Sequence, residues 1–338
     1  MTRKILVSLI TLFIIMFSLS LSAEETSIEI KKPKLNLKIE KKIILPKEND
    51  KEIQPTNMVV FSSNRDGDSE IYLFKQTETK ISTHLSNNKK FIKLTNNEFD
   101  DLDPSLSPDG SKVAFVSNRG GTSKIMIMNI DGSNPKRLTD NNDIETEPVW
   151  SPDGTQIAYT IINPNNKEIL ICDIEGTNPI RITENTVHDM HPSWSPDNEK
   201  IVFSSIRDGD YEIYIKNIDD NNGSSLIKVT DNTRRDSFPV WSPAGDKIAF
   251  ASFIPENGYE IYVMKVDGTN INRLTKNIYP DYEMNWSRDG SELIFSSSRN
   301  TGGFLLYRMK SDGSDVKKLF DDTGNCHCPD WIAIDIQK

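Results

Sequence analysis

The sequence predicts an all-β protein, a six-bladed β-propeller whose blades are four-stranded and antiparallel. The main observation is an internal repeat in which Pro-x-Trp-Ser, or a close variant, recurs along the chain. Its Trp position is filled by Leu106, Trp150, Trp194, Trp241, Trp286 and Trp331. The spacings between these positions are 44, 44, 47, 45 and 45 residues. A period of about 40–45 residues with several short strands per unit is typical of a propeller blade.

Each repeat shows the same order of short strands and tight turns. In the second repeat a Pro-Asp-Gly turn follows the first strand, and each of these residue types has a backbone reason to occupy a turn. The four expected strands are Pro104–Ser107, Lys112–Ser117, Lys124–Asn129 and Arg137–Thr139. The third strand is apolar at four successive positions, so both of its faces must be covered. Blades that stack face to face meet this requirement.

The two ends of the repeat region predict how the ring closes. The first repeat, with strands at 58–61, 70–73 and 92–95, lacks the Pro-x-Trp strand at its start. The chain ends with that missing strand, Pro329–Ile334. We therefore expect the C-terminal strand to pair with the N-terminal blade, which leaves no open sheet edge. Because the tryptophans recur in every blade but one, we interpret them as core residues between blades rather than as a binding surface.

Residues 1–22 have the features of a secretory signal peptide. Two basic residues, Arg3 and Lys4, precede an apolar run that ends in small residues. A retained membrane anchor is the alternative, because the run nearly reaches the roughly 17–25 residues of a spanning helix. We expect cleavage, export to the periplasm and no stable membrane insertion afterwards. The mature protein then has a basic tail at 23–55 and a propeller at 56–338.

Charge and cysteine content exclude two classes of protein. The formal net charge is −10, and it becomes −12 without residues 1–22, which carry two basic residues and no acidic one. Nucleic acid is therefore not expected as a partner, because binding its phosphates requires Lys and Arg. The chain has three cysteines, and an odd number excludes a complete disulfide framework. We expect a monomer that is held together by a hydrophobic core.

The tail contains a lysine-rich segment at 31–47, in which seven lysines stand against Glu40 alone. Leu35, Leu37 and Ile39 alternate with polar residues there, as they would in a strand. We expect a solvated tether, and a strand that awaits a partner is the alternative. A third interpretation is that this basic segment folds back onto the acidic propeller or reaches an anionic membrane surface.

The repeats resemble the propeller of the TolB family, periplasmic proteins of the Tol–Pal envelope system. Repeats of that family combine Pro-x-Trp-Ser-Pro-Asp-Gly with Ser-Asn-Arg-Asp-Gly and Glu-Ile-Tyr, and close copies stand here at 148–154, 63–67 and 70–72. The resemblance covers about residues 56–338 and does not include the α/β domain that precedes the propeller in TolB. It implies a propeller that binds an envelope protein or peptide, with a role in envelope integrity or translocation.

One group of acidic residues is predicted to tie loops together. These residues stand three positions before each Pro position, at Asp101, Glu145, Asp189, Asp236, Asp281 and, in the last repeat, Cys326. A second position holds arginine in four repeats, at Arg65, Arg119, Arg207 and Arg299. Strand parity puts both groups on one face of the propeller, where we expect carboxylate–guanidinium pairs.

The residue directly before each Pro position marks a candidate binding surface on the same face. This position holds Asp103, Glu147, His191, Phe238, Glu283 and Cys328. It varies where the rest of the repeat is constant, so we expect these side chains to ring one mouth of the central channel. Carboxylates placed there would attract a cation or a basic segment of a partner. The predicted protein-binding residues are Asp103, Glu147, Asp189, His191, Asp281 and Glu283.

The sequence predicts no enzymatic activity, no metal and no cofactor. It has no Gly-x-Ser-x-Gly or His-Glu-x-x-His motif and only four histidines. Cys326 and Cys328 are closer in sequence than zinc-binding cysteines, which are separated by about two to four residues. The alternative is a propeller-type metal-dependent lyase or hydrolase that uses His188, His191 and His327 at the channel mouth. We favour an exported, non-catalytic protein-binding scaffold, in part by analogy with the family.

Overall fold

The structure, a computed structural model, describes residues 52–53, 56–81, 84–220, 223–299, 303–320 and 324–334. The signal peptide predicted at 1–22 and the lysine-rich segment at 31–47 lie outside these residues. Within the described ranges, strands and turns make up the chain, and no helix is long and apolar enough to cross a membrane. The chain divides into two compact units, residues 54–78 with 87–338 and residues 1–53 with 79–86.

The smaller unit contributes one short strand pair. Strand β1 (Glu52–Ile53) pairs antiparallel with part of β3 (Glu70–Ile81). Glu52 lies opposite Lys80, and Ile53 lies opposite Thr79. This pair is additional to the four-strand pattern that the repeats predict.

The larger unit is a six-bladed propeller of antiparallel sheets, which confirms the predicted fold class. Blade 1 contains β25 (Cys326–Ile334), β2 (Thr56–Ser63), β3 and β4 (His84–Lys93), in that order across the sheet. Blade 2 contains β5 (Asp101–Leu106), β6 (Lys112–Ser117), β7 (Lys124–Asn129) and β8 (Lys136–Arg137). Blade 3 contains β9 (Ile144–Trp150), β10 (Gln156–Ile162), β11 (Lys167–Asp173) and β12 (Ile180–Arg181).

The remaining three blades repeat the same order. Blade 4 contains β13 (Asp189–Trp194), β14 (Lys200–Ser205), β15 (Glu212–Asn217) and β16 (Ile227–Lys228). Blade 5 contains β17 (Asp236–Trp241), β18 (Lys247–Ile254), β19 (Gly258–Lys265) and β20 (Asn272–Arg273). Blade 6 contains β21 (Asp281–Trp286), β22 (Glu292–Ser297), β23 (Leu305–Lys310) and β24 (Lys317–Lys318).

The outer strands are short except in blade 1. β8, β12, β16, β20 and β24 have two residues each, so each leaves few unpaired backbone groups at the rim. In blade 1 the strands β3 and β4 are longer than the sequence prediction of 70–73 and 92–95. Thr77, Thr79 and Ile81 are β-branched residues at every second position of β3, and such residues favour continuation of a strand.

Strand β25 closes the ring, as the sequence predicts. It pairs antiparallel with β2, with Ile334 opposite Thr56 and Cys326 opposite Ser63. The first strands of the six blades contact one another in a closed circle, β5 to β9, β13, β17, β21, β25 and back to β5. These strands therefore surround the central channel, and any side chain they direct inward faces it.

Asp330 in β25 links three blades at the closure. One carboxylate oxygen accepts a hydrogen bond from the backbone N–H of Leu106 in blade 2, and the other accepts one from the side-chain amide of Asn285 in blade 6. Both distances are 2.6 Å. Burial raises the pKa of Asp330 above its ordinary value, although the hydrogen bond from the N–H of Leu106 opposes the shift.

The tryptophans fill the space between blades, which confirms their structural role. Trp150, Trp194, Trp241 and Trp286 are buried, and Trp331 is half-buried. Three indole N–H groups donate hydrogen bonds to backbone carbonyls of the preceding blade. These bonds join Trp150 to Ser105 at 3.1 Å, Trp194 to Val149 at 3.1 Å and Trp286 to Val240 at 3.3 Å. Each buried aromatic adds about 2–3 kcal/mol of apolar burial, and the hydrogen bond fixes its orientation.

The Asp-Gly turns between the third and fourth strands also pack against a neighbouring blade. Gly176 in blade 3 has a φ of 79°. A Cβ atom on Gly176 would lie 1.8 Å from the carbonyl oxygen of Leu138 in blade 2. Gly132 in blade 2 meets Leu94 of blade 1 in the same way, at 2.4 Å. The glycine of this turn is therefore required both by backbone conformation and by close packing.

Removing β25 should open the ring. A chain that ends at residue 325 loses Asp330 and Trp331 and leaves β2 as an unpaired edge, so we expect its free energy of unfolding to fall by more than about 4 kcal/mol. Urea unfolding followed by tryptophan fluorescence measures the change. A chain that ends at Ile334 keeps the whole of β25 and is the control. Equal urea midpoints for the two truncated chains would contradict closure by β25.

Candidate functional site

The predicted binding surface lies on one face of the propeller, which we call the loop face. This face carries the loops that lead into each first strand and the turns between the second and third strands. In blade 2 these two segments touch, because the backbone N–H of Asp100 donates to Oδ1 of Asn118 at 3.1 Å. The Ser-Pro-Asp-Gly turns occupy the opposite face, where Asp109 accepts a hydrogen bond from the N–H of Ser111 at 3.0 Å.

Six residues, one from each blade, stand directly before the Pro position of the first strand. We call Asp103, Glu147, His191, Phe238, Glu283 and Cys328 the pre-proline ring. All six have a left-handed backbone, with φ between 49° and 57°. Five of the six precede a proline, and Glu283 precedes Met284, which fills the Pro position of blade 6. A proline normally keeps the preceding residue extended, and a left-handed non-glycine residue costs about 1–2 kcal/mol. The register of each first strand shifts at this position, as in a β-bulge.

Hydrogen bonds connect the pre-proline ring from blade to blade. The N–H of Glu147 donates to Oδ2 of Asp103 at 3.3 Å, and the N–H of His191 donates to Oε2 of Glu147 at 2.7 Å. On the other side of the ring, the N–H of Cys328 donates to Oε2 of Glu283 at 3.0 Å. The thiol of Cys328 donates to Oδ1 of Asp103 at 3.2 Å. Side chains that the sequence presents as a free binding surface therefore also join blades 6, 1, 2, 3 and 4.

Burial and mutual repulsion shift the titration of these groups. Burial, with the charge of Glu147, raises the pKa of Asp103 from 3.8 to about 6. Burial lowers the pKa of His191, although Glu147 opposes that shift, so the imidazole is neutral near pH 7. Burial would raise the pKa of Glu283, but the hydrogen bond and charge of His327 outweigh it and lower the pKa. The ring therefore carries net negative charge at neutral pH.

Between blades 4, 5 and 6 the connection is aromatic. The rings of His191 and Phe238 lie 3.9 Å apart between centroids, at 33°. Phe238, Tyr259 and Tyr282 contact one another, with centroid distances of 5.5 to 6.0 Å. Beside them is a cleft of about 490 Å³, which we call the aromatic cleft. Seven residues with aromatic or imidazole side chains line it: His191, Tyr211, Phe238, Phe253, Tyr259, Tyr282 and Phe304.

Sequence analysis identified His191 and Phe238 but missed the other aromatic residues of this cleft. Tyr259 directly precedes the Glu-Ile-Tyr motif at 260–262, and Tyr282 directly precedes Glu283 of the pre-proline ring. The available signal was a concentration of aromatic residues in the loop-face segments of blades 4 to 6. It was overlooked because these residues occupy different repeat positions and come together only when neighbouring blades pack.

A smaller hollow of about 200 Å³ lies on the other side of the ring. Asp103, Glu283, His327 and Cys328 contribute to its wall. Nδ1 of His327 lies 3.3 Å from Oε2 of Glu283. Burial and the neighbouring carboxylates raise the pKa of the Cys328 thiol well above its ordinary value, so it is protonated.

The carboxylate–arginine pairs predicted on this face are confirmed in three blades. The N···O distances are 3.1 Å for Arg119 and Asp101, 3.0 Å for Arg207 and Asp189, and 2.7 Å for Arg299 and Asp281. Each guanidinium also lies over the Phe of its own blade, at 5.2 to 5.6 Å from the ring centroid. Asp189 and Asp281 have no exposed surface. We therefore expect these two residues to hold the loops in place, while Asp103, Glu147, His191 and Glu283 border the open surface.

The residues considered for metal binding do not converge. Within the described ranges, no three His, Cys, Asp or Glu side chains are arranged to hold a metal ion. Cys172, Cys326 and Cys328 are free thiols. Cys326 occupies the acidic position of blade 1, where its sulfur lies 3.5 Å from a guanidinium nitrogen of Arg65. His188 is not among the residues that form the aromatic cleft or the smaller hollow.

The repeated sequence matches a known family over most of its length. The family described as the TolB beta propeller domain matches residues 74–163 and 167–333. The chain belongs to the TolB β-propeller family. The putative TolB from Agrobacterium tumefaciens has a TM-score of 0.62 and 23% identity, over 80% of this chain and 90% of that one. TolB from Acinetobacter baumannii has a TM-score of 0.64 and 20% identity, over 82% of this chain and 66% of that one.

An enzyme shares the same fold. Hydrazine synthase of Kuenenia stuttgartiensis has a TM-score of 0.65 and 20% identity, over 84% of this chain and 48% of that one. At such identities the likeness to solved structures shows the fold alone. Membership of the TolB family therefore establishes the architecture, and the chemistry of the loop face must indicate what this propeller does.

The raised pKa of Asp103 predicts a pH dependence of stability. Because the folded protein disfavours the ionised carboxyl, it loses stability as pH rises from about 4 to about 6. The Asp103→Asn variant removes this charge and keeps one acceptor oxygen. We expect its free energy of unfolding to fall less between pH 4 and pH 7 than that of the wild type, by about 1–2 kcal/mol.

Urea unfolding at pH 4, 5, 6 and 7 measures this difference. The Glu199→Gln variant is a suitable control, because its side chain is 73% exposed and lies in a turn on the opposite face. Its curve should run parallel to that of the wild type. Parallel curves for Asp103→Asn and wild type would show that ionisation of Asp103 does not lower the stability of the folded protein.

Proposed function

We propose that this TolB-family propeller is an exported, non-catalytic scaffold that binds a protein or peptide of the cell envelope through its loop face. The observation that carries the proposal is the aromatic cleft beside the negatively charged pre-proline ring. Aromatic residues in a partly open apolar pocket are the usual anchors of a protein interface. The family resemblance and the character of residues 1–22 support a periplasmic location.

The way the carboxylates are bonded supports a binding role. Glu147 accepts hydrogen bonds from the N–H of His191 at 2.7 Å and from the hydroxyl of Thr160 at 2.8 Å. Glu283 accepts them from the N–H of Cys328 at 3.0 Å and from the hydroxyl of Ser296 at 3.1 Å. Groups held in this way form a fixed, charged surface, and such pre-organisation lowers the entropic cost of binding a partner.

Site-specific photo-crosslinking tests the proposal. Leu102 and Tyr279 are each 37% exposed and lie in segments of the loop face. A photoreactive amino acid at either position should give a covalent adduct with an envelope protein when cells are irradiated. The same amino acid at Glu199, on the opposite face, should give none. Adducts that form equally from all three positions, or from none of them, would contradict binding through the loop face.

Metal analysis separates the scaffold from the alternative, a metal-dependent lyase or hydrolase. We expect the purified protein to carry no stoichiometric transition metal and His191→Ala to leave its metal content unchanged. A bound metal at one equivalent that is lost in His191→Ala would favour the enzyme. This measurement does not depend on finding the partner.

A further inference from the structure

The aromatic cleft lies beside two carboxylates of the pre-proline ring. His191 forms part of its wall and lies 3.4 Å from Oε1 of Glu147, measured from Nε2. Tyr282, on the opposite side of the cleft, is followed directly by Glu283. On this face, Arg207 and Arg299 already pair with buried carboxylates of their own blades, Asp189 and Asp281. The inner side of the cleft is therefore suited to a positively charged group.

His191 offers an acceptor that has no partner. Because Nε2 faces the Glu147 carboxylate, the proton of the neutral ring belongs on Nε2. Nδ1 is then a hydrogen-bond acceptor, and it is buried without a partner among the described residues. Nδ1 has almost no solvent-exposed surface, so a donor from a ligand reaches it only if the His191 ring turns.

The rings of the cleft occupy other repeat positions than the Phe rings that arginines cover in four blades. In blades 1, 2, 4 and 6 an arginine guanidinium lies 5.2 to 5.6 Å from the centroid of a Phe ring. Within the described part of the chain, no Arg or Lys lies over Phe238, Tyr259 or Tyr282. In blade 5 the corresponding arginine position holds Ile254. The π faces of this cleft are thus available to a cation from outside.

We propose that the aromatic cleft binds an arginine side chain of the partner protein, an assignment that rests on the proposed function. A guanidinium group stacks on aromatic rings, here those of Tyr259 and Tyr282, and carries five N–H donors but no acceptor. It therefore matches the aromatic rings of the cleft and the carboxylates beside them. Lysine has the charge without the planar face, and a neutral apolar residue has neither charge nor donors.

Two positively charged side chains, Lys167 and Arg235, lie near the cleft. Nζ of Lys167 lies 3.9 Å from the sulfur of Met190, which contributes to the outer wall. Arg235 is exposed and close enough to Tyr211 and Tyr259 to lower their pKa values, against the larger effect of burial. Positive charge outside and negative charge inside favour a segment whose arginine points toward the channel. Exposed charges of this kind are screened beyond about 8 Å at physiological ionic strength, so binding should weaken with salt.

Selection from a random linear peptide library on the purified protein tests the proposal. We expect the selected peptides to be enriched in arginine relative to the input library and to share one invariant arginine. In a synthetic copy of the tightest peptide, citrulline at that position should weaken binding at least tenfold, because it keeps the planar shape and loses the charge. Lysine should weaken binding several-fold. Fluorescence anisotropy measures each affinity.

Variants of the protein locate the arginine. Tyr259→Leu keeps apolar volume and removes the π face, so we expect at least fivefold weaker binding of the arginine peptide. Tyr259→Phe keeps the ring and should bind within twofold of the wild type. Glu199→Gln, on the opposite face, should also bind like the wild type. Circular dichroism spectra that match the wild type are required of each variant, so that a loss of binding is not a loss of fold.

The outcomes distinguish this proposal from the proposed function. If the library yields no binders, binders without an invariant arginine, or a peptide whose affinity citrulline or Tyr259→Leu does not change, the arginine assignment is overturned. If crosslinks from Leu102 and Tyr279 still capture an envelope protein in that case, the loop face remains the binding surface. If those crosslinks are also absent, both proposals fail.

Discussion

The left-handed backbone of the residue before each Pro position determines the layout of the loop face. It coincides with the shift in register of the first strand in each blade. In the same conformation the N–H of His191 meets the carboxylate of Glu147 in the preceding blade, and that of Cys328 meets Glu283. Six such residues, at about 1–2 kcal/mol each, are a substantial conformational cost. The bonds between blades and the burial of the strands that follow offset it.

The blades are joined at three levels of the first strand. On the loop face the pre-proline ring supplies hydrogen bonds and, between blades 4 and 6, aromatic contacts. In the middle, Asp330 joins blades 6, 1 and 2. Below it, the tryptophan indoles donate to the preceding blade, as Trp194 does to Val149. A loop face built on strands that are fixed in this way is pre-organised, and pre-organisation lowers the entropic cost of the binding role that we propose for it.

The sequence is sufficient to predict the six-bladed architecture, because each blade is encoded by a copy of the same repeat. The tryptophan period and the arginine position recur in phase, so each copy supports the others, and the split first blade completes the count of six. What the sequence did not reveal depends on single copies. Asp330 replaces the Ser, Val or Asn of other repeats, and Tyr259 and Tyr282 come from different repeat positions. Residues of that kind become neighbours only through packing, and no period marks them.

Asp189 and Asp281, two of the predicted binding residues, also have a structural role. Both are charged and lie on the loop face, which is why the sequence groups them with the candidate surface. Their environment is set by Arg207 and Arg299, which cover them and pair with them. A structural ion pair is needed in every blade, whereas a contact with a partner is not. A charged residue that recurs at one repeat position is therefore more readily explained by an ion pair within its own blade.

The central claim is that a side chain of the pre-proline ring holds the backbone of the next blade. Amide hydrogen exchange of His191 in Glu147→Ala and Glu147→Gln, followed by NMR, tests it most directly. Alanine removes the acceptor, so we predict that the His191 amide exchanges about tenfold faster, whereas glutamine keeps an amide oxygen and preserves the protection within about threefold. Unchanged protection of the His191 amide in Glu147→Ala would contradict the account.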